Sequence, residues 1–341
     1  MEMEENLFVK PEYNGNYFKN PSSFVGWTGL PNVLAILGWM MGPNSGRPPS
    51  KQVLDETLPV YKPSFDVNNS SLQCTWLGHA TVLVHLDGIN FITDPVWSDT
   101  ASPFRTFGPK RYRQPPCSID DLPDLDFAVI SHNHYDHFDA EAIQSLNKRF
   151  KRMQWYVPSG LKTYMHKYVP VENVHELSWG ESKNLVIGDR EYYIHCVPAQ
   201  HWSQRGLFDR YKTLWSGWVV VGPTKRFYFA GDTGYCDEFR KIKKIFGQID
   251  LATLPIGCYS PRWFMKPQHI DPAEAVQIHK DIGSKKSIGI HWGTYAMGST
   301  EAYLEPADLL RDEVKKAGLN VNDFIVLHHG QTWTEVNCDE K

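Results

Sequence analysis

Hydrophobic positions in this chain fall into short runs rather than long stripes, and most runs end on a histidine or an aspartate. Leu72–Leu77, Thr81–Leu86 and Asn90–Thr93 read as β-strands, and the last two flank Asp87-Gly88, a hairpin signal. Phe127–Ser131 is a continuous apolar run, and residues 139–150 follow as a helix with Asp139 as its N-cap. Tyr192–Val197 predicts a strand leading to His201. Trp218–Val221 and Arg226–Ala230 form a further pair, the second leading into Gly231-Asp232. Asp237–Phe246 reads as helix, Leu251–Pro255 as strand, and Pro272–Asp281 as helix after Asp271. Ser287–Ile290 delivers His291, and a last helix covers 306–317.

Strands mixed with helices, with reactive side chains where the strands stop, predict an α/β or α+β layered fold whose chemistry sits at one end of a sheet. No internal repeat of short period interrupts this order. Residues 1–64 are different: rich in Asn, Gly and Pro, they read as an N-terminal extension packed on the core and in a position to contact a membrane. The domain proper covers 65–341. The one apolar segment of the extension, Leu30–Met41, is too short to span a bilayer and is broken by Pro31 and Asn32. It reads either as an ordinary buried helix or as one that lies on a lipid surface.

Composition narrows the setting. Hydrophobic residues make up 41% and charged residues 22% of 341, the balance of a globular protein. A net charge of −4, with no block of like charges, argues against a nucleic-acid partner. The acidic start Met1-Glu-Met-Glu-Glu5 is no signal peptide, and the six scattered cysteines form no C-x-x-C pair. The expectation is an intracellular protein with reduced thiols, neither secreted nor membrane-spanning.

The chemistry concentrates in His132-Asn133-His134-Tyr135-Asp136-His137, which places four metal-ligand side chains within six residues. On a strand His132 and His134 share a face, while Asp136 and His137 on the following turn can reach a second centre. His201, Asp232 and His291 each follow a β-type run, where a sheet edge can aim them at the same place. Imidazole and carboxylate donors suit zinc, and also iron or manganese.

This pattern resembles the metallo-β-lactamase superfamily, whose fold is an αββα sandwich. Longer strings narrow the resemblance: Thr75–Thr81, Ile130–His137, Gly231–Cys236, Pro261–Lys266 and Ile290–Thr294 are similar to the family of phospholipases D that hydrolyse N-acylphosphatidylethanolamine. The similarity runs from about Leu30 to His329. The chain departs from better-known members in a shorter amino terminus and from about Ser182 to His195.

Carried over by position, the family implies two Zn²⁺ per chain. His132, His134 and His201 would hold one, Asp136, His137 and His291 the other, and Asp232 would bridge them. Asp94 matches an aspartate that orients a ligand imidazole; on its residues alone it is equally a turn residue before Pro95. His269 matches a further active-site histidine, making it catalytic together with Asp232, whereas His79 reads as structural. Tyr135 and Arg205 adjoin ligands and are candidate substrate contacts, with a packed ring and a surface charge as the plain alternatives.

The resemblance further implies a phospholipid substrate, peripheral attachment to internal membranes, and a homodimer. The reaction it implies is attack of a metal-bridging hydroxide on phosphorus, giving an N-acylethanolamine and phosphatidic acid. Two rivals stand beside it: a hydrolase of the same fold acting on a lactone, a sugar phosphate or another phosphodiester, and a non-enzymatic metal-binding scaffold.

Overall fold

A computed structural model describes residues 8–30, 48–67, 70–104 and 106–335. Apart from Leu30, the apolar segment Leu30–Met41 lies outside the described residues.

A short hairpin, β1 (Glu12–Tyr13) and β2 (Phe18–Lys19), precedes two seven-stranded sheets. The first sheet is formed by β3 (Leu72–Gly78), β4 (Thr81–Leu86), β5 (Ile89–Thr93), β6 (Phe127–Val129), β7 (Gln154–Pro158) and β8 (Val174–Leu177), with β16 (Thr332–Thr334) added beside β3. The second runs β9 (Ser182–Ile187), β10 (Arg190–Val197), β11 (Gly217–Val221), β12 (Arg226–Phe229), β13 (Ile249–Pro255), β14 (Ser284–Ile290) and β15 (Phe324–Val326). Each sheet starts as an antiparallel meander and continues as parallel strands: β3 to β5 then β5 to β8, and β9 to β12 then β12 to β15. Parallel neighbours need crossovers, and these carry helices such as α2 (Ala140–Arg149) and α6 (Pro272–Asp281).

The period-two geometry of a strand explains why the first sheet is apolar on both sides. Val82, Val84, Phe91, Phe127, Val129 and Tyr156 enter one cluster with Ile194, Trp218, Phe227 and Leu251 of the second sheet. Their neighbours Leu83, Ile92, Ala128, Ile130, Trp155 and Val157 pack instead with Ile143 and Leu146 of α2. One face meets the other sheet and the opposite face meets helices, so no polar face is left. The result is the layered αββα sandwich expected.

Two caps fix the helices beside the site. Asp139 accepts the backbone N–H groups of Glu141 and Ala142, as the sequence predicts, and its other oxygen accepts from Trp97 N, Ser98 N and Ser98 Oγ. Asp271 and Glu274 form a reciprocal capping box at the start of α6. The amino-terminal residues are bound into the body: Phe8, Phe18, Phe24 and Leu58 join the inter-sheet core, and Asn20 Nδ2 donates to the His201 carbonyl at 2.8 Å. Among the described residues no helix is long and apolar enough to cross a membrane.

Phe91 joins the two sheets, stacking on Phe127 at 4.6 Å and meeting Phe227 of the second sheet edge-on at 5.4 Å. Phe91→Ala should therefore lower unfolding free energy by about 3–5 kcal/mol in a urea titration. A loss under about 1 kcal/mol would show that the sheets do not depend on this contact.

Candidate metal centre

The strand ends converge. Strand β5 gives way to Asp94, β6 to the run His132–His137, β10 to His201, β12 to Asp232 and β14 to His291, while His79 lies in the turn between β3 and β4. Backbone bends turn these side chains inward, and three non-glycine residues adopt left-handed φ for the purpose: His79 (51°), Asp94 (33°) and His291 (61°). Gly231 bends the same way before Asp232 (φ 61°), and a Cβ there would come 2.5 Å from Ser131 Cβ, so only glycine fits.

Two groups of donors result. His132, His134 and His201 bring three nitrogens together, with His134 Nδ1 2.8 Å from His132 Nε2 and 3.3 Å from His201 Nε2. Asp136, His137 and His291 form the second group, joined by His79, with all four donor atoms within 4.8 Å of one another. Asp232 stands between them. Its Oδ2 lies 3.2 Å from His137 Nε2, 3.7 Å from His201 Nε2 and 3.9 Å from His132 Nε2, and its Oδ1 lies 3.1 Å from His291 Nε2.

The outer Nδ1 of His132, His137 and His201 is tied to an acceptor, which fixes how each of these rings is turned. Asp94 Oδ2 accepts from His137 Nδ1 at 2.6 Å and from Ser131 Oγ at 2.5 Å. With the Ser131 hydroxyl proton committed to Asp94, Ser131 Oγ accepts from His132 Nδ1 at 2.9 Å. The Gln268 carbonyl accepts from His201 Nδ1 at 3.0 Å. His132 and His201 then turn an Nε2 lone pair inward, the state that metal ligation requires. His137 Nε2, both nitrogens of His291 and Asp232 Oδ1 are buried without a hydrogen-bond partner. Buried polar atoms seldom go unpaired, so this set of donors fits a bound cation.

Electrostatics agree. Burial, reinforced by neighbouring imidazoles, holds His132 well below its ordinary range, and burial lowers His201 to about 3 and His134 to about 4. His137 and His291 behave oppositely: burial favours their neutral form, but Asp232 and Asp136 outweigh it, raising His291 to about 9 and His137 well above its usual value. Burial also opposes ionisation of Asp136 and Asp232, yet the surrounding imidazoles keep both carboxyls well below the normal carboxylate range. Two buried anions are thus balanced by two protons that a cation would displace.

His269 sits beside this cluster: its ring centroid is 5.3 Å from that of His201, and its unpartnered Nδ1 is 3.8 Å from Asp232 Oδ2. Arg262 Nη1 holds its carbonyl at 2.7 Å. Tyr135 and Arg205 line a cavity of about 560 Å³ together with Trp97, Phe138 and Asp139. The Arg205 guanidinium stacks on the Tyr135 ring at 3.9 Å, and its Nη1 donates to the carbonyls of Asn133 and Phe138. Two contributors escaped the sequence reading, Ser131 and the Gln268 carbonyl, and His79, read there as structural, has its Nε2 2.8 Å from Asp136 Oδ2. A histidine following Gly78 between two strands was the only available signal for the last.

Comparison with known proteins places this geometry. Residues 89–292 match the model of the beta-lactamase superfamily domain. Among solved structures, a possible metal-dependent hydrolase of Veillonella parvula superposes with a TM-score of 0.59 at 18% identity, over 78% of this chain and all of that one (100%). Igni18, a metallo hydrolase of Ignicoccus hospitalis, gives 0.58 at 20%, over 78% of this chain and 99% of its own. These two show the fold alone. The fold and the His/Asp cluster together define a metallohydrolase of the β-lactamase superfamily.

Closer relatives refine the class. The N-acyl-phosphatidylethanolamine-hydrolyzing phospholipase D 1 of Caenorhabditis elegans is 50% identical over 337 residues, 96% of this chain and 94% of that protein. The mitochondrial N-acyl-phosphatidylethanolamine-hydrolyzing phospholipase D of Saccharomyces cerevisiae is 39% identical over 266 residues, 76% of this chain and 55% of the yeast protein. The chain belongs to the family of N-acyl-phosphatidylethanolamine-hydrolysing phospholipases D.

The imidazole shifts carry a pH consequence. His79, His132, His134, His201 and His269 stay neutral in the folded, metal-free protein at pH values where they would be protonated in the unfolded chain. A lowered folded pKa means that stability is present above the unfolded value near 6.5 and is lost as pH falls from there toward 3–4. The urea midpoint of chelator-stripped protein should fall steadily from pH 6.5 to 5, each imidazole contributing at most about 1.4 kcal/mol per pH unit. A midpoint that is level across that range would contradict the neutral state assigned to these rings.

Proposed function

We propose that this protein is a phospholipase D that hydrolyses N-acylphosphatidylethanolamine to an N-acylethanolamine and phosphatidic acid at a centre of two zinc ions. The observation that carries this reading is 50% identity across 96% of the chain to a phospholipase D named for that substrate, combined with convergence of all seven expected ligands. His132, His134 and His201 would hold one ion, Asp136, His137 and His291 the other, and Asp232 both. An all-nitrogen and oxygen donor set of this kind suits zinc. When bound, the two ions would supply Lewis acidity and a water acidified toward neutral pH.

The rest of the chemistry falls to the chain's own groups. Asp94, Ser131 and the Gln268 carbonyl hold the imidazoles of His137, His132 and His201 in place. In the net reaction the oxygen of water bonds to phosphorus, the bond from phosphorus to the ethanolamine oxygen breaks, and that oxygen takes a proton. Asp232 Oδ2 and His269 Nδ1, 3.8 Å apart, would hold and pass that proton. Tyr135 and Arg205, on the wall of the adjoining cavity, would border the headgroup, with Arg205 supplying positive charge near the phosphodiester.

A two-chain lipid must be reached in its bilayer. Large apolar side chains stand exposed on loops next to the cavity: Phe104 (64%) and Phe107 (77%) after the lining residues Ser102 and Pro103, and Leu207 (87%) and Phe208 (86%) after Arg205. The turn from Arg205 to Asp209 is tied by Asp209 Oδ1, which accepts from the N–H groups of Arg205 and Gly206 and so presents the two apolar tips outward. This arrangement supports peripheral attachment through apolar insertion. Residues 1–64 are read as an extension bound to the hydrolase domain 65–341. The homodimer and the location on internal membranes belong to the same reading and rest on the family.

The test is a product analysis. Vesicles containing N-acylated and plain phosphatidylethanolamine are incubated with the pure, metal-loaded protein and analysed by mass spectrometry. N-acylethanolamine and phosphatidic acid should appear in equal amounts from the first lipid. Joint replacement of Leu207→Ser and Phe208→Ser should slow the vesicle reaction about tenfold while sparing a short-chain soluble analogue. Release of free fatty acid, or no turnover of either lipid, would overturn the assignment.

A further inference from the structure

Beyond the seven ligands and His269, one buried side chain is built into the centre without a role: His79. We propose that His79 is a positioning residue that clamps the half-site formed by Asp136, His137 and His291, holding Asp136 with its side chain and His291 with its backbone. This inference rests on the two-ion reading.

The turn between β3 and β4 forces His79 into left-handed φ (51°), an uncommon conformation for a residue with a Cβ. In that conformation its carbonyl accepts the N–H of His291 at 2.9 Å and the indole N–H of Trp76 at 2.9 Å. Its own N–H donates to Thr294 Oγ1 at 2.7 Å, three residues beyond His291. Thr294 Oγ1 is in turn 3.0 Å from Nε2 of His329, a buried ring tilted against Trp76 with ring centroids 4.2 Å apart. The turn and the loop that carries His291 are therefore fastened at two points, which fixes where the His291 ring stands.

The side chain reaches the other ligand. His79 Nε2 lies 2.8 Å from Asp136 Oδ2, the same oxygen that faces His137 Nε2 at 3.3 Å and His291 Nε2 at 3.5 Å. The ring is also confined, 4.1 Å from the His291 ring and edge-on to Tyr295 at 5.2 Å. His79 could be counted as a fourth ligand, since its Nε2 belongs to that group of donor atoms. Its partners argue otherwise. His137 Nε2 and both nitrogens of His291 have no hydrogen-bond partner, whereas His79 Nε2 is already satisfied by Asp136. A neutral His79 bearing its proton on Nε2 donates to one lone pair of the carboxylate oxygen and leaves the other toward the centre. Such partners orient a ligand, and their loss weakens metal affinity by about 10–100-fold.

The experiment titrates metal-stripped protein with cobalt(II), following uptake and the visible d–d spectrum. Wild-type protein should take up two ions; uptake of one would overturn the two-ion reading and this proposal with it, whereas uptake of two leaves the variants below to decide the role of His79. His79→Asn tolerates left-handed φ but is too short to reach Asp136, whereas His79→Gln restores an N–H donor near the Nε2 position. Thermal unfolding of both variants verifies the fold. In His79→Asn one cobalt step should weaken by about 10–100-fold and the other stay unchanged, with His79→Gln recovering most of the loss. Unchanged affinity in His79→Asn would make the residue mere packing. Failure of His79→Gln to recover, with a spectrum that has lost a nitrogen donor, would make His79 a ligand; either result overturns the proposal.

Discussion

Two carboxylates, Asp136 and Asp232, are buried among imidazoles, and the rest of the site follows from keeping their charge there. An ionised carboxyl out of water must be paired or hold a metal. In this chain Asp232 lies between two groups of ligands and faces both, Oδ2 toward His137, His132 and His201 and Oδ1 toward His291. Such a position tolerates little displacement. That accounts for the anchored rings of His132, His137 and His201, the glycine at 231 where a Cβ would collide with Ser131, and left-handed backbone at Asp94 and His291.

The sandwich makes this placement possible. Its two sheets repeat one plan, an antiparallel meander followed by parallel strands. The candidate ligands arrive from β6 of the first sheet and from β10, β12 and β14 of the second, so the donor cluster straddles both. Any slip of one sheet against the other would separate Asp136 and His137 from Asp232 and His291. The large inter-sheet core, with Trp76, Phe91, Phe127, Trp218 and Phe227 fully buried, resists that motion and couples the site's geometry to the stability of the whole domain.

Much of this was legible in the sequence, for identifiable reasons. The candidate ligands stand out because a dense run, His132 to His137, and three residues after apolar runs obey one rule, and α2 and α6 begin at the clear caps Asp139 and Asp271. The strands Gln154–Pro158 and Val174–Leu177 did not stand out. The first is short, buried on both faces and lacks the alternation that marks a half-exposed strand, and the second has only four residues, too few to show a period. Ser182–Ile187 is mostly exposed and polar, and resembles a loop until β10 pairs with it. His269 was visible only through resemblance, and His79 read as structural because a lone histidine in a hairpin turn carries no pattern; contact with Asp136 at 2.8 Å is a tertiary fact. The apolar surface beside the cavity was equally hidden, since Leu207 and Phe208 are two residues in a turn and acquire meaning from their place.

The central claim is that one carboxylate, Asp232, joins two metal half-sites. Anomalous X-ray diffraction at the zinc absorption edge, on crystals of the zinc-loaded protein, tests it most directly. Two peaks per chain are expected, about 3.5–4 Å apart, with Asp232 lying against both. A single peak, or two peaks of which Asp232 touches only one, would contradict it.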